Sequence, residues 1–130
     1  MGGPSIRPIG EVRYRSEIRT NYLVACFSTA PNLFTEFPDT DACLVIHKVD
    51  DFCERFHAAA EAQLPDWAGF DAAVTYGGRH PLGAVFSKPL HFYDQQEWRF
   101  GWLPCVAISD LQPTFVTIGN IEDLAHIVRR

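Results

Sequence analysis

The chain carries none of the short signatures that announce a metal or phosphate site. Its histidines, His47, His57, His80, His91 and His126, are scattered, with no HExxH, no CxxC and no pair at helical spacing. Zinc sites draw their ligands from such spacings, so no metal is expected. GxSxG and GxxxxGK are also missing, which removes the nucleophile elbow and the phosphate loop. No apolar run nears the roughly 20 residues of a membrane helix, so no membrane role is expected. The opening Met1-Gly2-Gly3-Pro4-Ser5 lacks the apolar centre of a signal peptide, and a cytoplasmic location is expected. Positive charge is also short: 11 Lys and Arg face 16 Asp and Glu, for a net charge of -5. Non-specific nucleic-acid binding needs a basic surface and is not expected. An acidic balance suits docking on a basic protein partner.

The cysteines, Cys26, Cys43, Cys53 and Cys105, form no close pair, and three lie in apolar runs. They read as free thiols acting as small buried hydrophobes. What the chain does have is aromatic mass. Ten Phe, four Tyr and three Trp in 130 residues supply one sizeable core. A single domain over 1–130 follows, with the Gly- and Pro-rich 1–11 as a loose arm and a short strand over 11–15.

Two apolar runs, 22–27 and 42–46, read as strands buried on both faces. The main helix is expected over 51–64, capped by Asp51 with Glu54 in a capping box and stopped by Pro65. Further strands are expected over 72–76, 82–86, 95–102, 105–108 and 115–118. Asn120 is expected to cap a short C-terminal helix striped by Ile121, Leu124, Ala125 and Val128. Strands, one main helix, then more strands give an α+β class with a mostly antiparallel or mixed sheet.

The stretch from Ser87 to Trp102 concentrates the chemistry. Strand alternation puts Gln95, Glu97 and Arg99 on one face and Trp98, Phe100 and Trp102 on the other. A carboxylate backed by packed aromatics is preorganised, and it can stabilise positive charge developing on a sugar carbon. The bland alternative is a surface ion pair of Glu97 with Arg99 or Lys88. If Glu97 serves a site, Glu97→Gln is expected to leave the melting temperature nearly unchanged. Ser28 follows a buried strand, where a hydroxyl can act or simply turn the chain. Gly77-Gly78-Arg79-His80 reads as a tight turn between two strands.

These motifs carry two resemblances. Ala25-Cys26-Phe27-Ser28, Cys43-Leu44-Val45-Ile46, Val74-Thr75-Tyr76, Lys88-Pro89 and Gln95-Gln96-Glu97-Trp98-Arg99 together resemble an uncharacterised bacterial domain-of-unknown-function family, and the closing Ile118-Gly119-Asn120-Ile121-Glu122-Asp123 resembles the end of small phage and prophage proteins of the same style. The likeness spans about residues 22–125. More distantly, the chain resembles ADP-ribosyltransferases. Those enzymes place an Arg or His on an early strand, Ser-Thr-Ser on the next and Gln/Glu-x-Glu on a late one. Ser28-Thr29 matches the middle motif, with Ala30 in place of its last Ser, and Gln95-x-Glu97 matches the late one. Arg13, Arg15 or Arg19 would supply the first, close to Ser28 in sequence. That resemblance implies NAD as the substrate cofactor, Glu97, Gln95 and Ser28 as catalytic residues, and Arg15, Arg19 and Thr29 as nucleotide contacts.

Two classes of function stand side by side. One is an NAD-consuming transferase with Glu97 as its carboxylate. The other is a non-catalytic phage or mobile-element protein that inhibits or sequesters a host partner. The first needs Ser28, Glu97 and one N-terminal Arg to converge on one concave pocket; the second needs an exposed apolar patch with no pocket.

Overall fold

The protein is described here by a computed structural model covering residues 20–130. The short strand expected over 11–15 lies outside the described residues. The elements are β1 (Leu23–Ser28), α1 (Leu33–Glu36), β2 (Ala42–Ile46), α2 (Val49–Gln63), β3 (Trp67–Ala73), β4 (Thr75–Tyr76), β5 (Ser87–Lys88), β6 (Glu97–Pro104) and β7 (Ala125–Arg129). Two 3-10 turns, Ala84–Phe86 and Leu90–Gln95, flank β5. One main helix with largely antiparallel strands makes this an α+β domain.

The main sheet has the order β1-β6-β3, antiparallel throughout. The aromatic-rich strand is therefore the central one. Its alternation is as the residues require: Phe100 and Trp102 face α2, while Arg99 and Gly101 face the 84–96 segment. Helix α2 lays Phe52, Phe56 and Ala60 on this aromatic face. Phe56 stacks on both Phe100 and Trp102, at ring separations of 4.9 and 5.1 Å, and Phe27 meets Phe52 and Phe100 edge-on at 5.5 Å. Offset stacks and T-shaped contacts of this kind add to the area that the rings bury. On the other face, a Cβ at Gly101 would stand 3.3 Å from Val85 and Phe86, so this glycine lets the segment close on the sheet.

The structure departs from the sequence expectations at several elements. Among the described residues, strand 22–27 is an edge, not a doubly buried strand, and Val24 and Cys26 are exposed along it. Strand β2 also leaves Leu44 exposed, and among the described residues it pairs with β7 alone. The helix begins two residues before Asp51, and no side chain caps it. Asp50 and Asp51 instead sit in its first turn, where negative charge suits the helix dipole. The 72–76 strand divides: Trp67–Ala73 joins the sheet, and Thr75–Tyr76 pairs in parallel with Ser87–Lys88. Gly77 to His80 is therefore part of a crossover and not a hairpin turn.

Residues 82–86 turn instead of extending, since Gly83 adopts a positive φ of 96° and Ala84–Phe86 coils after it. Segments 105–108 and 115–118 form no strand. Val106 is 78% and Phe115 87% exposed, so neither run buries a continuous face. The expected C-terminal helix is a single turn. Asn120 accepts the Glu122 N–H, Ala125 donates to the Ile121 carbonyl, and the chain then extends as β7 against β2. Pairing with β2 offers β-branched Ile127 and Val128 a ladder, and that long-range contact overrides the local helical period. The cysteines are free thiols, but none is fully buried, and Cys26 and Cys105 are exposed.

Phe100 is 2% exposed at the centre of the aromatic cluster. Phe100→Ala is expected to lower unfolding free energy by about 3–5 kcal/mol. Urea denaturation with an unchanged m-value is the check.

Candidate functional site

The polar face of the sheet is where β1 and β6 bring the expected residues together. Register pairs Ser28 with Glu97 and Cys26 with Arg99, so all four side chains share one side. Glu97 is 9% exposed and is the one buried charged residue among those described. Its Oε2 accepts from Arg99 Nε at 2.6 Å and meets Arg99 Nη2 at 2.6 Å. Lys88 Nζ approaches Oε1 at 3.4 Å. Arg99 is fixed in turn by donating Nη1 to the Val85 carbonyl at 2.6 Å. The Glu97 backbone N–H donates to the Tyr76 hydroxyl at 2.8 Å. Both ion pairs weighed from sequence are present, and both are partly buried rather than on the open surface.

Gln95 reaches this cluster by an unexpected route. Strand β6 starts at Glu97, and Gln96 takes a left-handed φ of 43° at the end of the 3-10 turn. Gln95 therefore does not belong to the strand's alternation. Its Oε1 accepts from Lys88 Nζ at 2.6 Å, which turns its amide N–H donors elsewhere. Lys88 also lies over the Phe92 ring at 4.6 Å, a cation–π contact that holds its stem in place. Sequence reasoning missed Tyr76 and Val85 in this arrangement. Val74-Thr75-Tyr76 reads from sequence as a strand and as one motif of the family resemblance, with no role for the Tyr76 hydroxyl, and a backbone carbonyl leaves no mark in composition.

Ser28 plays a local part as well. Its hydroxyl donates to the Gln95 carbonyl at 2.6 Å and accepts the Ala30 N–H at 3.0 Å. Thr29 ties both its N–H and its hydroxyl to the Gln96 carbonyl, at 2.8 and 3.0 Å. These bonds clamp the end of β1 to the turn that introduces Glu97. Arg13, Arg15 and Arg19 lie outside the described residues.

A cavity of about 1010 Å³ opens beside β1. Ser28, Thr29, Lys88, Gln95 and Glu97 form its polar end. Its walls are apolar, from Phe27, Phe34, Val45, Ile46 and Phe52. Apolar walls with a few convergent polar groups describe a ligand site. Trp98 borders the same space, and its indole N–H donates to Asp71 Oδ2 at 2.9 Å. Cys26 also lines it. Desolvation pushes the Cys26 thiol above its ordinary value, and the Glu97 charge adds to this while Arg99 opposes it.

No protein-family model, curated protein or solved structure matches the chain. Among the described residues, no group of three or more His, Cys, Asp or Glu is placed to hold a metal ion, and no helix is long and apolar enough to cross a membrane.

Two consequences are measurable. Glu97→Gln leaves Arg99 and Lys88 beside a neutral amide in a largely dry site. The expectation of an unchanged melting temperature does not fit this burial, and a loss of about 3 kcal/mol follows from the scale for breaking a buried pair. Denaturation of the two proteins side by side checks it. With its thiol raised, Cys26 holds little thiolate at neutral pH. Its alkylation by iodoacetamide should be slow near pH 7 and should keep accelerating above about 8.5, where an ordinary thiol levels off. Peptide mapping across a pH series reads this.

Proposed function

We propose that the cavity beside Glu97 is an NAD-consuming site of the ADP-ribosyltransferase kind. The observation that carries this reading is the convergence of Ser28, Gln95 and Glu97 on one cavity of about 1010 Å³. That is at the upper end of the roughly 300–1,000 Å³ usual for ligand sites. The Gln95-x-Glu97 and Ser28-Thr29 resemblances point to the same chemistry.

The two cations give Glu97 separate handles. Arg99 grips Oε2 at hydrogen-bond distance, so the carboxylate is held in one orientation. Lys88 is farther from Oε1, at 3.4 Å, longer than the usual 2.7–2.9 Å or so of a charge-assisted bond. A diphosphate entering the cavity would draw Lys88 away and free Oε1. Oε1 then accepts a ribose hydroxyl and faces the sugar carbon as the bond to nicotinamide breaks. Nicotinamide leaves with the bonding electron pair, and the carboxylate offsets the positive charge left on the sugar. The Gln95 amide donates to a second hydroxyl, and an acceptor nucleophile, or water in its absence, bonds the sugar carbon and gives up its proton.

A second reading rests on its own observation. Strand β1 has no neighbour on its outer edge among the described residues, and that edge borders the apolar cavity. An extended segment of a partner protein could add to β1 and fill the same space. This would be the binding protein of a phage or mobile element, acting by sequestration.

Calorimetry with NAD, coupled to chromatographic detection of released nicotinamide, separates the two. The wild type is expected to bind NAD and release nicotinamide. Glu97→Asp keeps the charge but withdraws the carboxylate by about one bond length. It should cut turnover by ~10²-fold or more, the usual effect of a 1 Å misplacement, while still binding NAD. Absence of both heat and nicotinamide at millimolar NAD would remove the transferase reading and leave the partner-binding one.

A further inference from the structure

A second cavity, of about 560 Å³, lies between the C-terminal half of α2 and β3, with Trp102 of β6 at its floor. Trp102 is 6% exposed, and Phe56 and Phe100 stack on its ring. Its indole N–H has no acceptor among the described residues. No fully buried side-chain nitrogen or oxygen lacks a partner there, so this N–H opens onto the cavity. A buried donor facing an open space is a place for a ligand acceptor.

His57 supplies the complementary group. Its Nε2 bonds Asp71 Oδ1 at 2.6 Å, while the other Asp71 oxygen accepts the Trp98 N–H. A carboxylate used as acceptor on both oxygens places the ring hydrogen on Nε2. In the neutral imidazole, Nδ1 is then a bare acceptor. Gly69 shows how close the two nitrogens come: Trp102 Nε1 is 2.7 Å and His57 Nδ1 3.3 Å from the point where a Cβ on this residue would stand. Only glycine leaves both at the cavity wall.

The pairing selects its ligand. A hydroxyl accepts from the indole and donates to Nδ1 at once. A carboxylate or phosphate would satisfy the indole but oppose the Nδ1 lone pair and Glu61, which lines the cavity one turn beyond His57. An ammonium would satisfy His57 and Glu61 and leave the indole unpaired. Glu61 can accept from a further hydroxyl. Trp67 and the half-exposed Phe70 form aromatic walls, whose electron-rich faces suit the C–H face of a sugar ring. We propose that this cavity binds a neutral polyhydroxylated ligand, a mono- or disaccharide.

Indole N–H resonances of 15N-labelled protein, sorted with Trp67→Phe and Trp98→Phe, give the test. The probes are methyl α-glucoside, N-acetylglucosamine and maltose, with acetate and choline as an anion and a cation of similar size. At least one saccharide should move the Trp102 indole saturably, and more than either ion does. His57→Phe and Glu61→Ala should each weaken that binding by about tenfold or more, roughly the loss of one hydrogen bond to a polar group. Glu61 is an exposed helix residue, so its variant keeps the fold if the His57 variant does not. Silence of the Trp102 indole to all three saccharides at about 10 mM, well above a 1 mM affinity, would overturn the proposal. So would a larger response to acetate or choline, or unchanged affinity in a folded Glu61→Ala.

Discussion

One carboxylate, Glu97, is withdrawn from water at the start of the central strand, and much of the structure answers to it. A buried charge is tolerated only when it is paired and hydrogen-bonded. Arg99 meets it from the same strand face, Lys88 from β5, and the Tyr76 hydroxyl receives its backbone N–H. Arg99 must itself be satisfied, and the Val85 carbonyl does so. The 75–96 region thus covers the polar side of the sheet because the charge cluster requires partners there. The same cluster gives the cavity along β1 its polar end.

The opposite face obeys a different constraint. Phe100 and Trp102 bury their rings under α2, and the sheet divides cleanly into an aromatic side and a charged side. Asp71 is the exception. It stands among the aromatics, holding His57 and Trp98 by its two oxygens, and it borders both cavities. A carboxylate that accepts from two rings fixes the orientation of each. The shape of both cavities therefore depends on a residue that neither motif nor composition distinguishes.

The readings of the two cavities rest on different physics. Beside Glu97, charge governs: a carboxylate is held by one firm cation and one looser one. Beside His57, donor and acceptor roles govern in a site with aromatic walls. The two cavities share Asp71 alone in their linings and can be tested apart.

Local pattern decided several features of this chain. Alternation from Glu97 to Trp102 assigned the two faces correctly, because side-chain direction in a strand has a strict period of two. The helical period of Phe52, Phe56 and Ala60, ended by Pro65, located α2 to within two residues at its start. Ion pairing of Glu97 with Arg99 or Lys88 was legible for the same reason of spacing. Tertiary structure decided the rest. Whether an apolar run such as 22–27 becomes a centre or an edge depends on which strands pair with it, and periodicity does not encode partners. Residues 121–128 had a helical stripe, yet β2 needed a neighbour and drew them out as β7. Gln95 reached Lys88 through a left-handed turn at Gln96 that no period foretells. Contacts between residues far apart in sequence set those outcomes, since their energy appears only once the chain has closed on itself.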